Sequence, residues 1–122
     1  MAVETKSVGS PLITTIVTDT ASNTIVETAA AASQKIYFVE VTNPNSVAVY
    51  TKIFAANSNS ATSGQHYIQL YCPANTNCYT YLPKSFTIAN GIQFYTSTAA
   101  GIGAGQVNPT SDVTVVIGST AA

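Results

Sequence analysis

Apolar and polar residues alternate singly along most of this chain, and a period of two marks half-buried β-strands. KIYFVEVTN places Ile36, Phe38 and Glu40 on one face and Tyr37, Val39 and Val41 on the other. After an NPNS turn, VAVYTKIFA sets Val47, Val49, Thr51 and Ile53 against Tyr50, Lys52 and Phe54. HYIQLY repeats the pattern, with Ile68 and Leu70 opposed to Tyr67, Gln69 and Tyr71; CPANTN then reads as a loop and CYTYL as the returning strand of a hairpin. PLITTIVTDT, NTIVETA, GIQFYTS and DVTVVIG supply the remaining strands, with Ile92 and Phe94 inward in one and Val113, Val115 and Ile117 sharing a face in another.

Between these segments lie Gly, Asn, Pro and Ser, the residues of turns. NSNSATSG is a polar loop, AAGIGAGQVNPTS a Gly-rich one, and TAAAAS (28–33) a loop or a single helical turn. Residues 1–10 have no periodicity and read as a flexible arm, which leaves 11–122 as one domain. About eight short strands at this spacing predict an all-β fold, an antiparallel sandwich or a closed barrel.

Composition narrows the function classes. The charged residues are Lys6, Lys35, Lys52 and Lys84 against Glu4, Asp19, Glu27, Glu40 and Asp112, with no Arg. Nucleic-acid binding needs a dense cationic field to displace counterions from phosphates. Four scattered Lys cannot build one, and the same shortage argues against an anionic membrane surface. Polarity comes from 18 Thr, 12 Ser and 9 Asn. A surface so nearly neutral has little self-repulsion and tolerates close packing against like copies. MAVETKSVGSPL has no cationic stretch followed by an apolar one, which predicts no signal peptide and synthesis in a cytoplasm.

Candidate chemistry concentrates in HYIQLYCPANTNCYTYLPKSF, which holds the single His, both Cys and four of the seven Tyr. Cys72 and Cys78 are open to three readings: unrelated thiols at two strand ends, a disulfide clamping the hairpin tip, or half of a metal site that another chain completes. His66 is a general-base candidate only if a carboxylate orients it, and the nearest acids in sequence, Glu40 and Asp112, lie far along the chain. Asp19, Glu27 and Glu40 could in principle form a glycosidase-type pair, but each reads as a solubilising charge on a strand. Glu40 is expected on an apolar face with Ile36 and Phe38, satisfied by Lys or placed at a strand end. GIGAG lacks the Lys-Ser/Thr of a phosphate loop and opens no helix. No catalytic residue, resident metal or cofactor is therefore expected. Tyr67, Tyr71, Tyr79 and Tyr81 are expected as a ladder on one face of the hairpin, a candidate contact surface for protein or sugar.

KSFTIANGIQFYTSTAAGIGAGQVNPTSDVTVVIG, residues 84–118, resembles the C-terminal part of small tailed-phage virion proteins, in which an NGI-F-T strand precedes an Ala/Gly/Thr loop and a closing DVTV strand. VAVYTKIFAANSNSATSG is similar to the strand and loop that come earlier in those proteins. The chain departs from them in ending IGSTAA and in its Cys-flanked PANTN insert. The resemblance implies a jelly-roll-like sandwich that decorates or cements a phage capsid. It also implies a homo-oligomer, a trimer above all, bound to the major capsid protein or another virion protein, and no catalytic residues. The arm would then lie across a neighbour. The alternative function is a small carbohydrate-binding or adhesin-like module that uses the exposed Tyr.

Overall fold

The computed structural model describes residues 3–7, 15–22, 27–28, 33–55, 68–88, 91–100 and 107–121. They form nine strands: β1 (Val3–Ser7), β2 (Thr15–Ser22), β3 (Glu27–Thr28), β4 (Gln34–Asn43), β5 (Val49–Ala55), β6 (Ile68–Cys72), β7 (Thr76–Ile88), β8 (Ile92–Ser97) and β9 (Val113–Ala121). No helix occurs among the described residues, so none there is long and apolar enough to cross a membrane. One sheet runs β1-β2-β9-β4-β7 and the other β3-β8-β5-β6, every neighbouring pair antiparallel. Four of the pairings are nested along the chain: β5 with β6, β4 with β7, β3 with β8 and β2 with β9.

The sheets face each other across a single core. Ile36, Val39, Val41, Val115 and Ile117 come from one inner face, and Val49, Ile53, Cys72, Ile92 and Phe94 from the other. These are largely β-branched side chains at alternate positions, the pattern that packs well on a pleated surface. Thr51 and Thr96, paired directly across β5 and β8, satisfy each other inside the core through a 2.9 Å hydroxyl contact. The all-β antiparallel sandwich is thus the observed architecture.

Three expectations need correction. The first concerns β4. Ile36 opposes Ser119 of β9 and Phe38 opposes Gly118, so Tyr37 is an extra residue and β4 is bulged there. A bulge reverses the in–out parity beyond it. Val39 and Val41 therefore join Ile36 in the core, while Phe38 and Glu40 move to the outer face, away from Ile36. The second concerns the N-terminus. Val3–Ser7, within the stretch expected as a flexible arm, pairs residue by residue with β2. A ladder uses backbone groups, which every residue except proline supplies in full, so it needs no side-chain periodicity. The third concerns Val47, expected on one strand face with Val49, Thr51 and Ile53; it lies in the bend before β5 and is 51% exposed. TAAAAS is described only at its ends, Thr28 closing β3 and Ser33 preceding β4.

Candidate functional site

Cys72 and Cys78 do not flank a hairpin tip. β6 lies at one edge of the four-stranded sheet and β7 at one edge of the five-stranded sheet. The short loop between them, Pro73 to Asn75, carries the chain across the sandwich, with Asn75 in the left-handed region at φ 50°. Asn tolerates that conformation better than most residues. β6 pairs with β5 and β7 with β4, so the two strands that seem to answer each other belong to different layers.

This crossing divides the tyrosines. Tyr71 projects from the outer face of the four-stranded sheet, 57% exposed, while Tyr79 and Tyr81 project from the outer face of the five-stranded sheet at 60% and 61%. The expected one-face ladder does not exist, because a corner between sheets sends outward side chains to opposite sides of the molecule. Tyr67 and His66 lie outside the described residues. Tyr79 stacks on Phe38 with ring centroids 5.5 Å apart and planes at 19°. Phe38 in turn covers Gly118 of β9, so Tyr79, Phe38 and Gly118 form a continuous strip across three strands. Tyr81 pairs with Phe38 along the ladder, and Glu40 sits at the next outward position of β4, between Tyr79 and Val116. This exposed aromatic strip is the candidate contact surface.

The opposite outer face is built differently. Tyr50 meets Tyr71 at 5.4 Å in a tilted pair, and Phe54 meets Tyr95 edge-on at 5.9 Å. Lys52 lies among them, fully shut away from solvent. Its ammonium donates to the Ser97 hydroxyl and the Ala99 carbonyl and sits 5.0 Å from the Tyr95 ring centroid and 5.9 Å from that of Tyr50. Cation–π attraction offsets part of the cost of burying the charge. Desolvation still pulls the Lys52 pKa down to about 8. Burial likewise pushes the Tyr95 phenol up. Sequence reasoning placed Lys52 opposite Val49, Thr51 and Ile53 but missed its burial, since strand alternation reports the direction of a side chain and not what covers it.

The corner that carries the thiols is held by two asparagines from the NPNS turn. The Asn43 side-chain amide donates to the carbonyls of Val47 at 2.9 Å, Pro73 at 3.0 Å and Cys72 at 3.3 Å. Its oxygen accepts from the backbone and side-chain N–H groups of Asn45, both at 3.0 Å. The Asn45 amide donates to the Ser111 carbonyl, and its side-chain oxygen accepts from the Ser111 N–H. The Asn45 carbonyl accepts from the Asn75 N–H at 2.9 Å. Two buried amides therefore tie the β4–β5, β6–β7 and β8–β9 connections together. The sequence signalled a turn at NPNS but not that its amides would reach two other loops.

Both cysteines are free thiols facing inward. The Cys72 sulfur lies within hydrogen-bond reach of the carbonyls of Thr76 at 3.3 Å and Val41 at 3.6 Å, with the Cys78 thiol as its neighbour. Burial first, and the Cys78 thiol second, push the Cys72 pKa up to about 12. Among the described residues no three His, Cys, Asp or Glu side chains come together as a metal-ligand set. Glu27 lies on β3 of the four-stranded sheet, whereas Asp19 and Glu40 lie on β2 and β4 of the other, so the three acids do not share a sheet. GIGAG falls outside the described residues. Compared with protein families, with characterised proteins and with solved structures, the chain matches none.

Proposed function

We propose that this protein is a structural component of a tailed-phage virion, a decoration or cement protein that binds the head shell as an oligomer. The strand order carries this reading. β2 through β9 pair first with last and inward from there, as one long antiparallel ribbon would, and successive pairs alternate between the sheets. A ribbon folded over on itself in this way supports a jelly roll, the two-Greek-key arrangement shared by viral capsid and lectin domains. A fold does not specify a function. Two further features favour an assembly: a nearly neutral composition and the exposed Tyr79–Phe38 strip with Tyr81 beside it. Tyrosine is enriched at interface hot spots because it buries a large apolar area while its hydroxyl stays hydrogen-bonded. In this reading the outer face of the five-stranded sheet docks on the major capsid protein or on a like copy.

The test is mass in solution by light scattering, followed by co-sedimentation with empty shells assembled from candidate tailed-phage capsid proteins. An oligomer that pellets with the shells supports the proposal. A monomer that ignores shells but binds a panel of glycans, and loses that binding on Tyr79→Ala, would transfer the surface to carbohydrate recognition.

A further inference from the structure

We propose that Cys72 and Cys78 are a redox-reversible pair whose disulfide joins the two sheets covalently at the β6–β7 corner. This goes beyond the virion reading and does not rest on it. The two residues belong to different layers, Cys72 opposite Val49 in one sheet and Cys78 opposite Val41 in the other. The Cys72 sulfur nevertheless reaches the Val41 carbonyl at 3.6 Å, on the residue paired with Cys78, and the Thr76 carbonyl at 3.3 Å, two residues before Cys78. A disulfide demands close Cα atoms and converging Cβ vectors. Cys72 and Cys78 flank a short, asparagine-stapled crossing and both face the core, which brings the two side chains to one corner of the molecule. The main chain already crosses there through Pro73–Asn75, so the bond would close a short loop at the corner and hold its two ends together when that loop would otherwise spread.

The chemistry assigns the two sulfurs different parts. Cys78 is the more accessible, and Cys72 is fully buried. Burial favours the neutral form of the Cys72 thiol. With a low-molecular-weight disulfide as oxidant, the Cys78 thiolate attacks one of its sulfurs, forming a mixed disulfide and expelling one thiolate. The Cys72 sulfur then attacks Cys78 Sγ, breaks the mixed disulfide and expels the second thiolate. Each leaving thiolate takes up one of the two protons lost by the cysteines. The protein is oxidised by two electrons and the reagent is reduced to two thiols.

The experiment treats the folded, full-length chain with oxidised glutathione and then with excess reductant. The expected product has lost two hydrogens by intact mass, yields a Cys72–Cys78 cross-linked peptide on digestion, and unfolds at a higher urea concentration than the reduced chain. Reductant reverses all three. Cys78→Ser, which alters the half-buried partner, should leave the reduced fold in place and abolish both the mass loss and the shift. A glutathione adduct that persists on Cys78 beside an unreacted Cys72 would overturn the proposal, as would disulfide-linked dimers or an oxidised chain no more stable than the reduced one. Because oxidised and reduced forms of one chain are compared, the outcome does not depend on whether a variant folds.

Discussion

Phe38 packs on Gly118, and a Cβ built at Gly118 would come within 2.0 Å of the edge of the Phe38 ring. The contact exists only because the Tyr37 bulge turns Phe38 outward onto the strand that carries the glycine. Glycine in a strand is costly for entropy and packing, and an aromatic ring laid over it restores part of the loss. Gly118→Ala is therefore expected to destabilise the fold by about 1–3 kcal/mol, the range for overpacking. Combined with Phe38→Ala, the added methyl should cost much less, so the two changes will be non-additive in a double-mutant cycle read by urea denaturation. Additive losses would mean that the ring does not occupy that space.

Asn43 is the donor on which the corner depends. Asn43→Asp replaces an amide that faces the Val47, Cys72 and Pro73 carbonyls with an acceptor, leaving those oxygens opposite negative charge. A buried polar group without its partner costs about 1–3 kcal/mol, and more when charged. Asn43→Asp should therefore lower stability by about 3 kcal/mol or more and recover in part as pH falls and the carboxylate is protonated. Equal stability of the two chains at neutral pH would contradict the described network.

Lys52 and Cys72 should bend the stability–pH curve in opposite directions. The folded pKa of Lys52 is about 8, below its ordinary 10.5. The penalty for burying its charge is full below pH 8 and fades as pH climbs through that window, where the unfolded chain holds more protons. Stability thus rises with pH from about 8 on this account. Cys72, raised from 9.0 to about 12, acts the other way. Above pH 9 the unfolded thiol ionises first and stability falls, and Tyr95 adds to that fall above its ordinary 10.0. Urea midpoints across this range should lose the rise in Lys52→Met and part of the fall in Cys72→Ala. A Lys52→Met curve parallel to that of the parent would remove Lys52 from the account.

The two tyrosine faces can be told apart by substitution. Tyr79→Ala with Tyr81→Ala should weaken shell binding at least about tenfold, since aromatic anchors at an interface commonly exceed 1 kcal/mol each. Stability should fall by roughly 0.5–1.5 kcal/mol, the worth of the lost stack on Phe38. Tyr71→Ala, on the far side of the sandwich, should leave shell binding unchanged. Loss of binding through Tyr71 alone would move the contact to the four-stranded sheet.

The sequence by itself determined that this chain is built of strands. Alternation in KIYFVEVTN, VAVYTKIFA, IQLYC and GIQFYTS is a local property, imposed residue by residue by the pleat, and the core residues Val49, Ile53, Ile92, Phe94, Val113, Val115 and Ile117 were legible from it. Only the tertiary structure decided which strand answers which. Pairing is set by contacts far apart along the chain, so PANTN reads as a hairpin tip by length alone and instead crosses between sheets, sending Tyr71 to one side and Tyr79 and Tyr81 to the other. One inserted residue, Tyr37, reversed the faces of Phe38, Val39, Glu40 and Val41, and nothing in nearest-neighbour pattern records a bulge. The burial of Lys52 and the reach of Asn43 and Asn45 to distant carbonyls were decided at that same level, because desolvation and hydrogen bonding depend on what the folded chain brings near a group and not on its sequence neighbours.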